Sequence, residues 1–101
     1  MWLFVFFDLP TNTKKERKDA AKFRKELMKD GFTMMQFSVY IRHCASRESS
    51  DVHSKRVKLR IPEKGKVSIL RITDKQYGDI MNFWGIKEKS LPEGPRQLEI
   101  F

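Results

Sequence analysis

The chain is predicted to fold as an α+β sandwich in the order β-α-β-β-α-β, with an extra C-terminal strand and both helices on one face of an antiparallel sheet. Three observations predict it: an N-terminal run rich in aromatic and β-branched residues, a helix with legible start and stop signals after it, and the return of that alternation within 101 residues. This is the ferredoxin-like arrangement. Residues 1–95 read as one domain and residues 96–101 as a tail or strand.

The first strand is Trp2-Leu3-Phe4-Val5-Phe6-Phe7-Asp8, closed by Leu9-Pro10. Side chains alternate along it, so Leu3, Val5 and Phe7 face one way and Trp2, Phe4, Phe6 and Asp8 the other. Asp8 therefore stands at the rim of an aromatic face, as a chemical group or as a simple turn former. The first helix opens on Thr13-Lys14-Lys15-Glu16, which has capping-box spacing, runs over residues 14–30 and stops at Gly31. At 100° per residue Ala20, Phe23 and Leu27 share its apolar face, with Lys18, Lys22, Lys25 and Lys29 opposite. Such a row is either a solvated face or a cationic contact surface.

Residues 32–42 are strand-like but too long for one strand, and a break at residues 36–38 divides them. The polar stretch 45–51 offers N-caps for a second helix ending before Pro62, with Val52 and Leu59 as its apolar positions. Glu63-Lys64-Gly65 signals a turn, residues 67–73 a strand, residues 74–78 a short connection and residues 80–84 a further strand. A rigid linker at residues 91–95 leads to Leu98-Glu99-Ile100-Phe101.

Lys and Arg number 21 against 13 Asp and Glu, a net charge of +8 that suits a polyanionic partner. The lone Cys44 excludes an intrachain disulfide, and one Cys with two His gives no zinc spacing, which points to a reduced, cytoplasmic setting. The longest apolar run is well short of the roughly 20 residues of a membrane span, so no membrane partner is expected.

Two helices cover one face of a sheet only. If Leu3, Val5 and Phe7 meet them, then Trp2, Phe4 and Phe6 are left open, and hiding three such rings is worth roughly 10 kcal/mol before association costs. Either a second copy covers them or loops and the tail do so within one chain. A symmetric homodimer through the sheets brings each Asp8 toward its mate, where two carboxylates repel unless a cation lies between them. Mg2+ suits one or two carboxylates with several waters, and it polarises a phosphodiester or activates a water. Asp8 is thus the candidate metal ligand and catalytic residue. A different class of function is also open: an RNA-binding α+β module that stacks bases on these rings, although its usual aromatic signature is missing.

Three segments carry a resemblance: Phe6-Phe7-Asp8-Leu9-Pro10-Thr11, then Asp30-Gly31-Phe32 leading to Gln36-Phe37-Ser38-Val39-Tyr40-Ile41-Arg42, then Ile72-Thr73-Asp74-Lys75-Gln76-Tyr77. In that order they resemble the CRISPR-associated protein two family, the small dimeric subunit of the spacer-acquisition complex, and most of all members from Cas9-type (type II) systems. The resemblance implies a homodimer, a metal-binding Asp8, and a place between two dimers of the integrase, CRISPR-associated protein one, gripping short double-stranded DNA. It also implies a metal-dependent endonuclease activity on RNA or DNA that the scaffold role does not need. The tail would add a strand to the neighbouring protomer or hold the integrase, anchored by Leu98, Ile100 and Phe101. Sequence-independent grip on DNA requires phosphate contacts, for which Lys14, Lys15, Arg17, Lys18 and Lys22, with Arg42 and His43, are the candidates. His43 also reads as an ordinary surface histidine, and Tyr40 as packing.

Overall fold

The computed structural model describes residues 1–88. Its elements are β1 (Trp2–Asp8), α1 (Lys14–Lys29), β2 (Thr33–Gln36), β3 (Val39–His43), α2 (Arg47–Lys58), β4 (Lys66–Ile72), α3 (Asp74–Gly78), β5 (Phe83–Trp84) and β6 (Lys87–Glu88). The main sheet has the order β2-β3-β1-β4 with antiparallel neighbours, so the α+β, ferredoxin-like expectation holds. β1 is central, and its last residue is flanked by strands or turns on both sides.

Local chemistry sets the ends of α1. Thr13 accepts from the Glu16 amide while the Glu16 carboxylate accepts from the Thr13 amide, the reciprocal cap read from the sequence. At the other end the Phe32 amide bonds the Leu27 carbonyl and the Gly31 amide bonds the Met28 carbonyl, a Schellman stop. Gly31 has φ +86°, a left-handed conformation that calls for glycine, and a Cβ there would meet the Arg42 guanidinium.

The helix-side core joins Leu3, Val5 and Phe7 to Phe23, Leu27, Phe32, Tyr40 and Val57. Phe7 meets Phe23 edge-on at 5.2 Å. Tyr40 is buried, which is its packing role. α2 departs from expectation: it buries Ser50, His53 and Val57, whereas Val52 and Leu59 are exposed. Polar residues occupy its inner face because they find partners there. Ser50 donates to the Arg47 carbonyl and accepts from Arg71, while His53 lies 2.8 Å from the Asp30 carboxylate, which also takes Arg56 at 2.9 Å. Satisfied polar groups bury at little cost.

The opposite sheet face also differs from the reading of three open rings. Residues 74–78, expected as a connection, form α3, started by a second capping box between Thr73 and Gln76. α3 lays Tyr77 flat on Trp2, centroids 3.7 Å apart and planes 3° from parallel. Trp2, Phe4, Ile41 and Tyr77 become a second buried cluster, leaving Phe6 as the exposed ring of the three. The further strand is the short β5, which pairs with β6 in a hairpin of its own. Leu98, Ile100 and Phe101 lie outside the described residues.

Candidate functional site

Asp8 ends the central strand, exposed, on the sheet face away from α1 and α2. Its rung is well defined. Lys66 is its β4 partner in register, and on the other side the register Phe6↔Val39 continues through a 3.0 Å bond from the Phe7 amide to the Ser38 carbonyl. Phe37, in the β2–β3 turn, lines the same concavity as Asp8. Ser38 holds φ 64°, a left-handed conformation that costs a non-glycine residue about 1 kcal/mol or more. Gly65 secures the backbone from the side, since a Cβ there would stand 2.8 Å from the Asp8 carbonyl oxygen. The result is a shallow concavity lined by Phe6, Asp8, Phe37, Ser38, Lys66 and Ser68.

Within one chain this is a sparse donor set for a divalent ion. Among the described residues no three His, Cys, Asp or Glu side chains gather into a metal-binding group. One carboxylate beside one ammonium does not make a magnesium cage by itself.

The cationic candidates fall in two places. On α1, Lys14, Lys15, Arg17, Lys18 and Lys22 are all exposed. Lys15 pairs with Asp19 at 3.3 Å, and Arg17 donates to the Thr11 and Asn12 carbonyls at 3.2 and 3.4 Å, bracing the β1–α1 loop. Each acid of α1 is engaged inside the chain: Glu16 in the cap, Asp19 with Lys15, Glu26 with Arg60 at 3.2 Å. Lys14, Lys18, Lys22, Lys25 and Lys29 make no ion pair among the described residues. Their charge is left uncompensated along a helix face about 22 Å long.

Arg42 and His43 lie elsewhere. His43 is in register with Trp2, so it stands roughly 20 Å along β1 from Asp8. Arg42 donates to the Asp30 carbonyl at 2.8 Å, and His43 sits 3.4 Å from Asp74 with its ring edge-on to Trp2. Both have work inside the fold. Asp74 also accepts from the Met1 amine at 2.8 Å, and that bond above all holds its carboxyl below the usual range. Sequence reading missed Lys66, whose signal lay in the register, and Phe37, which the β2–β3 turn brings to the same concavity. It also missed Asp30, His53 and Arg56, which are 23 and 26 residues apart and announce no spacing. The rings that a base-stacking sheet would offer, Trp2 and Phe4, are covered by the chain itself.

No helix among the described residues is long and apolar enough to cross a membrane. The fold is similar to that of Streptococcus pyogenes Cas2 in a crystal structure at pH 6.5, with a TM-score of 0.56 over 76% of this chain and 93% of that one, at 24% identity. Along the sequence the chain is 54% identical to the CRISPR-associated endoribonuclease Cas2 of Flavobacterium psychrophilum, covering all of this chain and 88% of the relative. It is 52% identical to that of Parvibaculum lavamentivorans over the full length of both. A relative of the same name from Streptococcus mutans is 35% identical over 97% of this chain and 90% of its own length, consistent with type II-like members. Residues 1–80 match the family model for CRISPR associated protein Cas2, and the chain belongs to the Cas2 family.

Proposed function

We propose that the protein is the structural subunit of a CRISPR adaptation complex, a homodimer that bridges two dimers of the integrase and holds duplex DNA without reading its sequence. The observation that carries this reading is the α1 face. All three acids of the helix are engaged inside the chain, so five outward lysines remain for phosphates. Such contacts give affinity that is indifferent to sequence, as a protein handling arbitrary DNA requires. The copies join through the open half of the sheet around Phe6, which brings the two Asp8 carboxylates together. Two carboxylates with waters suit Mg2+, which would supply charge neutralisation and an activated water. The names of the curated relatives support an endoribonuclease activity at that pair, and the scaffold role does not depend on it.

A salt titration of duplex binding tests the reading. Affinity should fall steeply from low to physiological salt, and Lys18→Glu with Lys22→Glu should lower the slope of log affinity against log salt by about 2. Flat affinity across that range would rule the phosphate grip out. Asp8→Ala should abolish magnesium-dependent cutting while leaving duplex binding, integrase association and spacer integration in place. Loss of all of these together would show that Asp8 is structural.

A further inference from the structure

We propose that the groove between α1 and residues 59–64 is a docking site for an extended segment of a partner protein, one that carries an apolar anchor and, about three residues away, a carboxylate. The groove lies on the helix side of the sheet, where Leu9 packs against the core, and its argument does not depend on Asp8. Shape, apolar surface and charge carry it.

At one end is a socket of about 100 Å³, walled by Leu9, Pro10, Ala20 and Pro62. Lys15, Asp19, Pro62 and Glu63 line both this socket and an open trough of about 570 Å³ that runs on past Lys22 and Phe23 to Leu59 and Ile61. One side chain fills the first, and the chain that bears it lies in the second. A duplex has no side chain to fill the socket.

Leu59 is 86% exposed and Ile61 38%, just past a helix that buries Ser50, His53 and Val57 instead. Their apolar area does nothing for the core and is recovered only under a cover. The main chain beside them is open as well, because residues 61–64 form no backbone hydrogen bond among the described residues. An extended partner finds donors and acceptors there.

The charge of the lining selects the partner. Asp19 is taken by Lys15 at 3.3 Å and Glu26 by Arg60 at 3.2 Å, which leaves Lys22 and Lys64 against Glu63, none of these three in an ion pair among the described residues. The balance is positive and suits an acidic segment. Glu16 at the socket and Lys22 in the trough stand about 9 Å apart along α1, the reach of about three extended residues. Lys22 edges both this groove and the lysine face of α1.

Amide NMR of the full chain tests the site, with a short peptide, otherwise Gly and Ser, that carries a Leu, a Glu three residues after it and a second Leu beside the Glu. The reversed peptide is run alongside. Amides of residues 13–26 and 59–64 should shift. Alanine for the anchor leucine of the peptide should weaken binding more than about tenfold, and Leu59→Ser about tenfold. Lys22→Ser, or glutamine for the glutamate of the peptide, should weaken it about threefold. Val52→Ser, exposed but outside the groove, should bind as the parent does. If neither peptide shifts these amides, or if Leu59→Ser binds as well as the parent, the proposal is overturned. A change of sedimentation in Leu59→Ser would give the groove to a second copy, and shifted amides of residues 89–101 in that variant without peptide would give it to the chain's own tail. Either result also overturns the proposal.

Discussion

The two faces of β1 differ in how their cover is supplied. Leu3, Val5 and Phe7 lie under two helices and are closed along the whole strand. Trp2, Phe4, Phe6 and Asp8 lie under the short α3, which reaches the first two and stops. Burial on that face therefore runs as a gradient, from 5% exposed at Trp2 and Phe4 to 38% at Phe6, and it ends on an exposed carboxylate. The side that folds the protein is complete, and the side left open is the part that a five-residue helix cannot reach.

Breaking the closed face should have the largest effect. Leu3 is 1% exposed among rings and branched side chains, so Leu3→Ala should cost about 4 kcal/mol, read as a lowered urea midpoint with an unchanged slope. Removing the partial cover comes next. Tyr77 is stacked on Trp2, and burial pushes its phenol up to about 12. Tyr77→Ala should cost about 3 kcal/mol and red-shift the emission of Trp2, measured with Trp84 replaced by Phe. An unshifted spectrum would mean that the open face is not closed by α3.

A smaller effect, with a sign that depends on pH, is expected where α1 meets α2. Burial raises the Asp30 carboxyl, but hydrogen bonds from His53 and Arg56 outweigh it and hold the group below its usual 3.8. A depressed carboxyl contributes stability above its unfolded value, and that contribution fades as pH falls below 3.8 through the folded value. Asp30→Asn should therefore cost about 2 kcal/mol near neutral pH, and less and less in acid. A gap that stays constant down to acid pH would remove the ionic account of this junction.

The sequence reading succeeded where a signal is local. Thr13, Glu16 and Gly31 mark the ends of α1 by backbone chemistry, and the alternation of β1 assigns its two faces without any knowledge of the fold. It failed on α2 because Val52 and Leu59 have the right spacing, while the true inner face is made of Ser50, His53 and Val57. Only the partners Arg71 and Asp30, brought in by tertiary structure, make that polar face favourable. The α3 cap was legible in Thr73 and Gln76, yet five residues give no apolar period to accompany it. The family motif reached Asp8, whereas Lys66 is brought beside it by strand register, which no linear pattern displays.

An effect on folding no larger than that of Asp30→Asn is expected at Phe6, and it bears most directly on the open half of the face. Its ring lies 6.0 Å from that of Phe4, and more than a third of the residue still meets water. Phe6→Ser should lower the stability of the single chain by about 2 kcal/mol, the share of the ring that the chain itself already buries. In a dimer joined through this surface the same substitution acts twice, once from each copy. At about 25 cal/mol per Å² the remaining exposed area of each ring is worth about 2 kcal/mol, so dissociation should shift by about two to three orders of magnitude. Sedimentation across a concentration series separates the cases. A variant whose dissociation shifts by far more than its folding stability does places the second copy on the unreached end of the sheet. Equal dissociation, or a parent that stays monomeric at every concentration, would leave the exposed ring without a protein partner and remove the means by which the two carboxylates meet.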